Sequence, residues 1–178
     1  MSETLARIKS PYLNIYQSPV NMISVFDDLR YDRADADLLS PGMRSHVDKK
    51  LTSAGFKQES GRVFRHSDNG IRCIIPKSHA LGASPFDITR YTPKEEADYY
   101  ILTPTQTACQ FIRYLSVQKA VESIDQLVKT QPVNLIRIGD YLDYESNFKA
   151  FAGAIPHLQR QQKAALASTS LAKMRALK

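Results

Sequence analysis

Asn69-Gly70 lies between two runs of strand-forming residues, and no other local feature constrains the chain as tightly. Arg62–Ser67 contains Val63 and Phe64, and Ile71–Pro76 contains Cys73-Ile74-Ile75. Asn-Gly supplies the two positive-φ positions of a tight turn, so 62–76 is predicted as a β-hairpin. Upstream, Pro19 suits a first helical turn, and Met22, Val25, Phe26 and Leu29 recur at helical spacing, which predicts a helix over 19–30. Ser40-Pro41-Gly42 reads as a turn. A second helix is predicted over 43–54, with Val47, Leu51 and Ala54 facing inward. Gly55 is its stop and Phe56 packs back on its last turn. Residues 1–18 read as an extended arm, and 77–98 as a loop with a short strand at Pro85–Ile88.

From Tyr99 onward the pattern predicts helices. Thr103-Pro104-Thr105-Gln106 has the form of a capping box, followed by Ala108, Phe111, Ile112 and Leu115 on one face. Val117–Val128 gives a further helix, ended by Gln131-Pro132. Leu135, Ile138 and Leu142 mark another, and Phe148, Phe151 and Ile155 one more. Pro156 precedes a final amphipathic segment with Leu158, Leu166, Leu171 and Met174. The expected fold class is α+β, a small mixed sheet with a hairpin and flanking helices, then a helical C-terminal half. The expected division is an arm at 1–18, an α+β part at 19–98, a helical part at 99–156 and a basic helix or tail at 157–178.

Charge is informative once localised. The chain has 178 residues and a formal net charge of +6. Residues 1–145 are balanced, so the excess lies in 146–178, which contains Lys149, Arg160, Lys163, Lys173, Arg175 and Lys178 and no acid. That segment is expected to meet nucleic acid or an acidic protein, or to remain in solvent. The sequence shows no signal-peptide pattern and no membrane-spanning run, and Cys73 and Cys109 form no disulfide or metal framework. A cytoplasmic protein with no membrane partner is therefore expected. Phosphate loops, dinucleotide fingerprints and nucleophile elbows are absent, and the four histidines are isolated from one another.

Asp35-Ala36-Asp37 is the one pattern that could carry chemistry. On a strand, residues i and i+2 share a face, and two convergent carboxylates suit Mg²⁺ bound to nucleotide phosphates. On a helix the two point about 200° apart and cannot share an ion. The order of features resembles small nucleotidyltransferase-fold proteins, the superfamily that includes minimal and abortive-infection-type nucleotidyltransferases. The residues that carry the resemblance are Arg30, Asp35-Ala36-Asp37-Leu38, Ala54-Gly55-Phe56, the 62–76 hairpin and Leu102-Thr103-Pro104-Thr105. It implies a nucleotide partner, Mg²⁺ held by Asp35 and Asp37, a phosphate contact from Arg30, and Asp87 as the third carboxylate. No Gly-Ser or Gly-Gly pair precedes the aspartates, so a binding-only member stands beside an active enzyme.

A different class competes for the same stretch. Helices at 19–30 and 43–54 followed by the 62–76 hairpin have the order of a winged helix that binds DNA. Arg44, His46, Lys49, Lys50 and Arg65 would then face DNA. A non-catalytic structural or interaction protein is the third reading.

Overall fold

Met22-Ile23-Ser24-Val25 is a run of four residues, all buried, with β-branched side chains at Ile23 and Val25. A run buried on both sides suits an interior strand. In the computed structural model it forms β2 (Met22–Val25), after β1 (Leu13–Tyr16). The structure describes residues 13–25, 41–76, 98–142 and 146–168, without the side chains of 41–44 and 166. The remaining elements of the first unit are α1 (Pro41–Ser53), β3 (Phe56–Ser60), β4 (Val63–His66), β5 (Arg72–Ile74) and β6 (Tyr99–Leu102). One mixed sheet results, in the order β1-β2-β6-β5-β4-β3. β6 pairs parallel with β2 on one side and with β5 on the other, and all other pairings are antiparallel.

One face of this sheet and the inner side of α1 share a core. Val47 and Leu51 of α1 join Ile23, Val25, Phe56, Phe64, Cys73, Tyr99 and Ile101, all buried. Alternation along the strands turns their neighbours to the other face, where Met22, Ser24, Ile74, Tyr100 and Leu102 are buried as well. The central strands are thus covered on both sides, which explains why they read as unbroken apolar runs.

The expected helix at 19–30 is overturned where the structure describes it. Pro19 lies in the turn between β1 and β2, after a cis Ser18–Pro19 bond, and Met22–Val25 is strand. A four-residue run satisfies helical and strand periods alike, and pairing with β1 and β6 decides between them. β1, predicted as part of an extended arm, is one edge of the sheet. β3, unpredicted, is the other, and its residues after Phe56 are exposed. Tyr99–Leu102, expected to open the helical part, forms the central strand. The helical unit therefore starts at Pro104.

The second unit contains α2 (Pro104–Tyr114), α3 (Val117–Thr130), α4 (Leu135–Leu142), α5 (Ser146–Phe151) and α6 (Ile155–Ser168). α3 packs against α2 and α6, and α2 also meets α4 and α5. Ser116 is the N-cap of α3, its side chain accepting from the Lys119 N–H. Asn134 caps α4 by accepting from the Arg137 N–H at 3.1 Å, while its own N–H donates to Thr105 Oγ1 at 3.0 Å. The buried Gln162 amide grips Val133 twice. It accepts from the Val133 N–H at 2.7 Å and donates to its carbonyl at 3.0 Å, so α6 is fixed to the loop before α4. The helical C-terminal half is as expected from the sequence.

The predicted hairpin is present as β4 and β5, with a longer turn than Asn-Gly alone suggested. His66 N–H donates to the Ile71 carbonyl, leaving Ser67–Gly70 as a four-residue loop, and Asn69 Oδ1 accepts from the Ile71 N–H. His66 connects this turn to the end of α1. Its Nδ1 accepts from the Asp68 N–H at 3.3 Å, and its Nε2 lies 3.1 Å from the Ala54 carbonyl. A carbonyl can only accept, so the proton is on Nε2. Gly55, the stop of α1, has φ +93, and a Cβ there would sit 2.9 Å from His66 Nε2. Gly55→Ala should therefore lower stability by about 1–3 kcal/mol, measured by urea unfolding. In a His66→Ala background the same substitution should cost less, because only the backbone strain remains.

Candidate functional site

Direct cross-strand pairing aligns charged residues on the sheet face turned away from α1. Lys57 on β3 lies opposite Arg65 on β4, and Arg65 lies opposite Arg72 on β5. The parallel register continues the row to Asp98, immediately before β6, and Arg72 Nη1 donates to Asp98 Oδ2 at 2.7 Å. Three like charges side by side would repel. Carboxylates on either side relieve this, since the Arg65 guanidinium engages both oxygens of Glu59. Hydrogen bonding from Arg65 holds the exposed Glu59 carboxyl below its usual range. Arg65 also donates to the Gly70 carbonyl at the hairpin turn.

The Arg72–Asp98 pair joins β5 to the start of β6 and is largely buried. The Asp98 side chain is 3% exposed and that of Arg72 22%. Sequence reasoning missed it by assigning Asp98 to a loop and Tyr99-Tyr100 to a helix. The signal was there in Tyr99-Tyr100-Ile101-Leu102, four apolar, aromatic or β-branched residues in a row, which suit a buried strand.

Among the described side chains, the predicted DNA-facing set does not converge. His46 is 6% exposed and buried beside Val47, so its ring is withdrawn from any groove. Lys49 is exposed on α1 and Lys50 half-buried there. Arg65 lies on the opposite face of the sheet from the core that α1 shares, because Phe64 and His66 take the α1 side. Arg44 is within α1, its side chain outside the described residues. The hairpin is built into a six-stranded sheet and Met22–Val25 is strand, so the helix-helix-wing order is not the one observed.

Arg30, Asp35, Asp37 and Asp87 lie outside the described residues. What the structure does give is where the segments carrying them begin. β2, β6 and β5 are adjacent and parallel, so all three end at the same edge of the sheet. The chain leaves this edge after Val25 toward Arg30, Asp35 and Asp37, and after Ile74 toward Asp87. The two exits are two strand spacings apart, about 10 Å. In open sheets of parallel strands, ligands bind outside this carboxyl edge.

Among the described residues, no group of three or more His, Cys, Asp or Glu could hold a metal ion. Both cysteines are buried, and neither forms a disulfide among the described residues. Burial, aided by the Asp98 charge, pushes the Cys73 thiol well above its ordinary range, which removes it as a nucleophile. No described helix is long and apolar enough to cross a membrane. No protein family, curated protein or solved structure matches this chain.

Removing one partner of a buried ion pair withdraws the charge that offsets the burial of the other. Arg72→Ala should cost about 3–5 kcal/mol in urea unfolding. Glu59→Ala, which breaks the exposed pair, should cost less than about 1 kcal/mol. In the native protein both thiols should resist a thiol-reactive chromogenic disulfide and react together once the chain is unfolded.

Proposed function

We propose that this is a nucleotidyltransferase-like protein that binds a nucleotide together with Mg²⁺. Asp35 and Asp37 serve as the metal-holding carboxylates, Arg30 contacts phosphate and Asp87 is the third carboxylate. The observation that supports this reading is the common carboxyl edge of β2, β6 and β5, from which both acid-bearing segments depart. Asp35 follows Val25 by ten residues and Asp87 follows Pro76 by eleven. Segments of that length reach roughly 35 Å when extended, ample for two anchors about 10 Å apart to serve one ligand.

The donor set fits the ion. Carboxylates spaced two apart are hard oxygen ligands, and Mg²⁺ takes one or two of them along with water and phosphate oxygens. When bound, the ion would supply charge neutralisation to the phosphates. In this reading the chain's own part is to supply the Asp35 and Asp37 carboxylates and to set a guanidinium, Arg30, against phosphate charge. Nucleotide binding is the core of the proposal, and transfer of a nucleotidyl group is the activity it would serve.

Titration calorimetry with the four ribonucleoside triphosphates, with and without Mg²⁺, tests the reading. At least one nucleotide should bind in a Mg²⁺-dependent way, and Asp35→Asn and Asp37→Asn should each weaken it tenfold or more. Binding that ignores both substitutions, or no binding to any of the four, would overturn it.

A further inference from the structure

We propose that the exposed face of α6 docks on the phosphate backbone of double-helical DNA. The inference rests on the helical unit alone and is independent of the nucleotide reading. Leu158 and Gln162 are the buried side of α6, with Ile155 and Ala165 partly covered beside them. At about 100° per residue, Arg160 lies nearly opposite Leu158, and Lys163 is on the same outer arc. Both are exposed.

No described residue neutralises their charge. Elsewhere in this unit Lys129 is paired with Asp125 and Arg137 with Asp140. Arg160 and Lys163 form no ion pair among the described residues. Residues 146–178 contain no acid that could supply one locally, and Lys149 and three further bases extend the same excess. Exposed helices ordinarily intersperse both signs, so an acid-free cationic face implies an external polyanion. His157, on the first turn, is the exception, facing Asp125 at 3.9 Å.

The chemistry of the face selects among polyanions. Its described side chains include His157, Gln159, Arg160, Lys163, Ala164 and Ala167, with no large apolar group. A membrane-surface helix would need Trp, Phe or Leu there to enter the lipid boundary. A protein partner would ordinarily need an aromatic or aliphatic anchor at the centre. Cations with amide and small side chains suit phosphate contacts instead. The major groove of B-form DNA, about 12 Å wide, admits a helix face, whereas the deep, narrow groove of duplex RNA does not.

Fluorescence anisotropy of the 178-residue chain with a short labelled DNA duplex, titrated from about 50 to 200 mM salt, tests this. Binding should weaken steeply with salt. The exposed double substitution Arg160→Ala/Lys163→Ala should make the log–log salt slope shallower by about two, at unchanged circular dichroism. Arg137→Ala removes one positive charge already neutralised by Asp140 and should leave the slope unchanged. Three outcomes would overturn the proposal: no binding at the lowest salt, an unaltered slope in the double variant, or tighter binding to duplex RNA or phosphatidylserine vesicles than to DNA. None of these depends on Asp35 or Asp37, so failure here leaves the nucleotide reading standing, and the converse also holds.

Discussion

The sheet depends on one strand arriving late in the chain. Without β6, the described strands form two separate pieces: the β1–β2 pair, and the antiparallel set β3-β4-β5. β6 joins them by pairing Tyr100 with Met22 and with Ile74. The Met22–Tyr100 pairing closes a loop of 78 residues, whose chain-length term alone is roughly 4 kcal/mol. The offset is burial, since all four residues from Tyr99 to Leu102 are buried and two carry aromatic rings. Arg72 and Asp98 stand at the start of the same seam, so the ion pair marks the register of β5 against β6 at the point where the two pieces meet. A slip by one residue would separate these charges and turn Tyr99 and Ile101 away from the α1 core.

That architecture explains which elements could be read in advance. The helices of the second unit were legible because their signals are local: helical spacing of apolar residues, Pro104 at a first turn, and Gln131-Pro132 at an end. Gly55 and Asn69-Gly70 were legible for the same reason, each marking a backbone conformation that few residues adopt. The strands were not. β2 and β6 are four residues long and buried on both faces, so no alternation distinguishes them from a helical stretch. β3 fails in the opposite way. After Phe56 its residues are Lys57-Gln58-Glu59-Ser60, polar and exposed, and only its pairing with β4 makes it a strand. Those charges, with the irregularity between Gln58 and Ser60, also guard an open edge against further pairing.

The candidate sites divide along the same line. Proximity in sequence suggested that Lys49, Lys50 and Arg65 form one basic surface, but α1 and the hairpin are stacked layers with Phe64 and Val47 between them. Charges outside a two-layer core must fall on opposite sides of it. Sequence order carries no information about that separation until the layers are known. Asp98 shows the reverse, since nothing local marks it as paired, yet register places it against Arg72 from 26 residues away.

The distribution of charge then acquires a structural meaning. In the sheet unit, Arg65 and Arg72 each face a carboxylate, so the basic row of that face is largely spent internally. In the helical unit, Lys129 and Arg137 each meet a carboxylate, whereas Arg160 and Lys163 in the acid-free segment form no ion pair among the described residues. Internal pairing fixes side chains and holds register, whereas unpaired exposed cations contribute little to holding a fold and act through long-range attraction. Mutations at Arg72 or Asp98 act on whether the sheet forms, and mutations at Arg160 or Lys163 test the proposed association instead. The net +6 lies in residues 146–178, so in the sequence it stands apart from the paired charges of the sheet.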